Sequence, residues 1–188
     1  MPHGWEVAIF VHILGVFAMA GGATMFMVLF GMMRRAANVQ EVRVLASVST
    51  VIDKVFPVAA VVLLLSGGYI VSDRDLHWSS GWINVSALAL IIMTAIGAVV
   101  NHPKTNAVRA AAEAAPDGPV PENLSALIED PVLFGAVHVV MLVVVAILWN
   151  MTTKPGGIQA FLVIAILAAV GAASAYPRYQ RQREQARR

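Results

Sequence analysis

The stretch VAIFVHILGVFAMAGG, Val7–Gly22, decides the fold. It carries no fixed charge, and its one titratable side chain is His12. The apolar run continues to Met33 and stops at Arg34 and Arg35. A membrane-crossing helix needs about 20 mostly apolar residues, and this run exceeds that length. A secretory leader would have a basic start and an apolar core of only about 7–15 residues. Residues 7–33 have neither, so they read as an uncleaved transmembrane anchor.

The rest of the chain has the same solvent preference. Of 188 residues, 59% are hydrophobic and 13% charged. Soluble domains are about 45–50% apolar and about 25% charged. Too little polar surface is available to coat a globule in water, so lipid is the natural solvent. Four further runs without Asp, Glu, Lys or Arg, 56–72, 82–101, 132–150 and 158–176, have the character of spans. The expected fold is all-α: a single membrane domain, 1–188, built as a polytopic bundle of five transmembrane helices. A net charge of only +2 gives no reason to expect nucleic acid as a partner. There is no cysteine, which removes disulfides, thiolate catalysis and Cys-ligated zinc or iron–sulfur sites.

Charge predicts direction. With the N-terminus outside, only Arg74 and Lys154 of the 13 Lys and Arg fall on the outer side. The positive-inside rule then places the C-terminus in the cytoplasm of a bacterial cell, with the chain in the inner membrane. Trp5, Trp78, Trp82 and Trp149 fall at the outer ends of spans, where indole prefers to sit. Residues 102–131 form the long cytoplasmic loop. Within it NAVRAAAEAA predicts a short helix, PDGPVP a break, and ENLSALIEDP a turn or two at the surface. Residues 177–188 form a basic cytoplasmic tail, suited to anchor topology and to touch anionic headgroups.

Lipid gives helices no hydrophobic reason to associate, so small and polar residues mark the packing faces. His12, Gly15, Met19, Gly22 and Phe26 share one face of the first span. Asn84, Ala87, Ile91, Thr94, Ala98 and Asn101 predict a seam on the third, and Gly135, His138, Met141 or Leu142, Val145 and Trp149 one on the fourth. Pro57 is tolerated if a helix begins near Asp53, and kinks one that begins at Val39.

The spans hold no carboxylate, lysine or arginine, which counts against ion-coupled transport. His12 and His138 are the titratable groups deep inside. Each can bond across helices as neutral imidazole, or ligate haem b iron. Sharing one haem is opposed by depth: the two lie on the order of 15 Å apart along the membrane normal, at about 1.5 Å per residue. A metal site at the outer end is the alternative, built from His12 with Asp73, Asp75 and His77 of the SDRDLHW loop. Met19, Met93 and Met141 offer further soft donors, or plain packing.

VHILGVFAMAGG, VFPVAAVVLLLSGG and NMTTKP together resemble a group of small uncharacterised bacterial integral membrane proteins. These are loosely similar to copper-resistance protein D-like and HemJ-like helical membrane proteins. The resemblance spans roughly the first 155 residues and implies a haem- or metal-binding role for His12. The fifth span lies outside that four-helix pattern, and the histidines and lysines of a HemJ-type oxidase find no full match. The expected function is a haem b-binding redox accessory or electron-transfer protein rather than an enzyme. The alternatives are a copper-type metal-handling or small-solute transport protein, and a structural subunit. The expected partners are the lipid bilayer and either a membrane complex or a second copy of the chain.

Overall fold

The computed structural model describes residues 3–74 and 76–185, and among them every regular element is helical. Helix α1 (Gly4–Met33) is followed by α2 (Val39–Asp53) and α3 (Val55–Asp73). Next come α4 (Gly81–Ile96), a π-helical turn at Gly97–Asn101, and α5 (His102–Ala114). Then follow α6 (Glu122–Ile128), α7 (Pro131–Thr153), α8 (Gly157–Ala173) and α9 (Tyr176–Gln185). Five helical stretches are long and apolar enough to cross a membrane, and they contain α1, α3, α4, α7 and α8. The chain is therefore an all-helical protein with five membrane-spanning helices.

Local chemistry sets the helix ends. Asn38 caps α2, accepting from the Glu41 amide at 2.9 Å. Asp130 caps α7 by accepting from the Val132 and Leu133 amides, with Pro131 in the first position. The same carboxylate takes the Lys104 ammonium at 2.6 Å and so ties α5 to α7. Pro57 is the third residue of α3, and the helical path turns at Lys54 just before it. The first reading of the proline describes what is found. It sits in the first turn of a helix that begins at Val55, where proline is tolerated, and that helix continues the stretch from Val39.

Helices α1 and α3 pack along each other, as do α7 and α8, and α4 rests on α7 and α8. Glycines set the close approaches. A Cβ on Gly171 would lie 2.8 Å from the Val139 backbone, and one on Gly81 would lie 2.4 Å from the Gly157 Cα. Between α3 and α4 the contact is sparse.

The end of the bundle that carries Arg34 has a small core of its own. Phe30 and Met33 of α1 pack with Val39 and Val42 of α2, Val108 and Ala112 of α5, and Leu124 and Ile128 of α6. The turn or two expected at ENLSALIEDP is the short helix α6, and its apolar side plugs this cap. Arg43 holds it closed, donating to the carbonyls of Ala112 and Ala115 and to Asp117. Gly118, at φ +140, allows the return of the chain that lets its carbonyl accept from Val39. Beside this core, Arg34 and Arg178 both lie over the Phe134 ring, and Arg178 pairs with Glu129. Burial, and then the neighbouring Arg178, lower the Arg34 pKa, while Glu129 pulls the other way.

Two expected seams need correction. On α4 the buried face is Ile83, Ser86, Leu90 and Met93, whereas Asn84, Ile91 and Ala98 are exposed. Asn84 instead donates to the Trp78 carbonyl in the preceding loop. On α7 Val145 and Trp149 face outward, while Val140, Val144 and Asn150 face in. A helix surrounded by apolar surroundings on all sides gives polarity little power to mark its inward face.

Candidate functional site

His12 lies on α1 opposite the sequence Ser66-Gly67-Gly68 of α3. Its Nδ1 is 3.0 Å from Ser66 Oγ, which is also 2.5 Å from the Val62 carbonyl one turn back. A carbonyl only accepts, so the single hydroxyl proton goes to Val62. Ser66 Oγ must then accept from imidazole Nδ1–H, which leaves Nε2 as the bare nitrogen. Gly67 provides the room, since a Cβ there would lie 3.2 Å from His12 Cε1. A Cβ on Gly68 would reach 3.7 Å from the Trp78 ring, so the two glycines form a flat bed for an imidazole and an indole.

His12 lines a cavity of about 400 Å³ between α1, α3, α4 and α7. That volume falls in the range of about 300–1,000 Å³ usual for small-molecule sites. The walls are mostly aliphatic, with Trp78 and Trp82 to one side. Polar groups are few: His12, Ser86 and, at the end where α1 begins, Lys154. Among the described residues, no hydrogen bond reaches His12 Nε2. In this tautomer Nε2 carries the ring's lone pair, on a residue that lines a mostly apolar space. Three thioethers, Met19, Met93 and Met151, line the same cavity.

Other sequence-nominated residues stand apart from it. His138 donates from Nδ1 to the Phe134 carbonyl of its own helix at 2.8 Å, and its ring lies 4.1 Å from that of Phe134. It does not line the cavity of His12, and its backbone is instead the surface on which Gly171 rests. Asp73 ends α3 and His77 follows in the loop; both are exposed and neither lines the cavity. Asp75 lies outside the described residues. Among the described residues, no three His, Cys, Asp or Glu side chains gather where they could hold a metal ion. Met141 packs against the apolar core between α1, α3, α4 and α7. His3 is exposed and stacks on Trp5, and Trp5 in turn carries the Arg74 guanidinium over its ring.

Residues missed from sequence include Ser66, Trp82 and Met151. Ser66 carried a faint signal, a hydroxyl directly before two glycines in an apolar run. Nothing in one strand of sequence, however, says that this turn of α3 faces His12.

Helix architecture and cavity together define a polytopic helical membrane protein with an internal space of small-molecule size. The family described as "Predicted integral membrane protein (DUF2269)" matches residues 6–155, and the chain belongs to it. No curated protein and no solved structure matches the chain. The family match ends at Pro155, just before α8 begins at Gly157.

Proposed function

We propose that the chain is a haem b-binding redox accessory of the bacterial inner membrane, in which His12 would hold the iron and the α1–α3–α4–α7 cavity would house the cofactor. The observation that carries this reading is the tautomer of His12. An iron-ligating histidine uses one ring nitrogen and has the other fixed by a hydrogen bond, and His12 has that arrangement. The aliphatic and indole walls suit the apolar faces of a porphyrin, and Lys154 at the rim suits its carboxylates. The resemblance of the His12 stretch to copper-resistance protein D-like and HemJ-like proteins points the same way. Bound haem would supply one-electron chemistry. The protein's part is to hold the imidazole, exclude water and set the polarity around the iron.

In this reading the N-terminus is outside and the C-terminus cytoplasmic, because Arg34 and the basic α9 then lie on the cytoplasmic side. The cavity opens in the outer half of the membrane. His138 takes no part in ligation in this version, since its ring stands elsewhere.

Absorption spectra of the purified protein, oxidised and reduced, test the reading. A Soret band is expected after expression with ample haem, and His12→Ala should remove it while His138→Ala should not. No band in the parent protein overturns the proposal. A second reading rests on Met19, Met93 and Met151, whose soft sulfurs with one imidazole suit cuprous copper. Copper retained through purification without a Soret band would favour it. A sample holding neither leaves His12 a packing residue of a structural subunit.

A further inference from the structure

A cluster of charge gathers at the Arg34 end of the bundle, around the Phe134 ring of α7. The guanidinium carbons of Arg34 and Arg178 lie 4.4 Å and 4.1 Å from the centre of that ring. Three elements supply the cluster. Arg34 closes α1, Glu129 closes α6, and Arg178 stands in the first turn of α9. Glu129 pairs with Arg178, and the adjacent Asp130 is already taken by Lys104.

Arg34 is left without an anion of its own. It is only partly exposed, and its Nε is buried without a hydrogen-bond partner. Among the described residues no carboxylate forms an ion pair with it. The Phe134 face attracts the cation but offers no acceptor to its N–H groups. Two guanidinium groups and one carboxylate leave one positive charge in surplus. Arginine cannot shed that charge by losing a proton.

Depth and charge together select what completes the cluster. Arg34 is the first charged residue after the apolar run of α1, and Arg178 is the first after α8. Both stand where acyl chains give way to headgroups. Tyr176 and Tyr179, both exposed, flank Arg178, and an apolar ring with a hydroxyl tip suits that level. The span that leads to Arg178 is the least buried of the five, so lipid reaches the cluster from that side. A phosphodiester carries a single negative charge, equal to the surplus, and its oxygens match the fork of a guanidinium. A zwitterionic headgroup brings its own cation and cancels nothing. We propose that Arg34 and Arg178 hold the phosphate of an anionic phospholipid beside the Phe134 ring. The site stands apart from the His12 cavity and does not depend on what fills it.

Thermal unfolding of the detergent-solubilised full chain tests this, followed against increasing phosphatidylglycerol or phosphatidylcholine in the micelles. Phosphatidylglycerol is expected to raise the midpoint in a saturable way, and phosphatidylcholine is not. Arg34→Gln should raise the half-saturating phosphatidylglycerol fraction about tenfold, as for loss of one charge-assisted contact. Arg181→Gln removes the same charge from an exposed position of α9 and should leave that fraction nearly unchanged. Glu129→Gln releases Arg178 and should lower it, a gain that a purely structural ion pair would not give. An equal response of the parent protein to the two lipids overturns the proposal. So does an equal loss in Arg34→Gln and Arg181→Gln, which would make the effect one of overall charge. Inorganic phosphate, added without lipid at matched ionic strength, separates the two sources of the anion. A shift as large as the lipid's overturns the lipid assignment in favour of free phosphate. If Arg34→Gln does not fold, the parent series and Glu129→Gln still decide.

Discussion

His12 and Ser66 show how one hydrogen bond turns a polar side chain in an apolar helix into an oriented ligand. Ser66→Ala removes the acceptor for Nδ1–H. Its expected cost to stability is about 1 kcal/mol, because one neutral hydrogen bond is lost. Its effect on cofactor affinity is expected to be larger, about 10–100-fold, the usual result of removing the group that orients a metal-bound histidine. Haem titration followed at the Soret band, beside thermal unfolding, separates the two effects. Gly67→Ala should act on the same ring by sterics, since its Cβ would press on His12 Cε1 at 3.2 Å. At this scale the sequence revealed the unusual residue and not its partner. His12 stands out in an uncharged run, whereas Ser66 reads as a serine bonded to its own helix, which in part it is. The facing turn depends on how α1 and α3 are rotated, and small-residue stripes leave several rotations open.

Among the elements, α7 and α8 are joined by close backbone approach rather than by side-chain volume. Gly171→Ala would put a methyl group 2.8 Å from the backbone of Val139, which cannot rotate away. A loss of about 1–3 kcal/mol is expected, as for overpacking elsewhere. Gly21→Ala, with nothing within 4 Å of the new Cβ, should change stability by no more than about 0.5 kcal/mol. Unfolding curves of both variants in the same detergent check the contrast. Element existence was legible here because length and hydropathy decide it. The direction of α4 was not. Asn84 and Ser86 are both polar and two residues apart, and only Ser86 meets another helix, through Asn150 Nδ2 at 3.4 Å. Ala98 lies seven residues beyond Ile91 and fourteen beyond Asn84, and all three are exposed, so the helical count held and the choice of face did not.

For the whole molecule, the sequence's polarity gradient has a structural counterpart. Helices α2, α5, α6 and α9 gather at the end where the basic residues concentrate, and Arg43 latches that cap. The proposed orientation predicts that a reporter fused after α9 is active only if it requires the cytoplasm, and that one inserted after His77 is active only outside. The reverse pattern would invert the topology and put the His12 cavity in the other leaflet. Helix α8 lies beyond the residues that the family shares, and much of its surface, including Ile158 and Phe161, faces outward. Helices α3 and α4 both line the cavity, and the contact between them is sparse. An occupant arriving between them is drawn from what is dissolved among the acyl chains, not from the aqueous phase. Loading would then follow partitioning into the bilayer and the packing order of its lipids, and a molecule scarce in water could still fill the site.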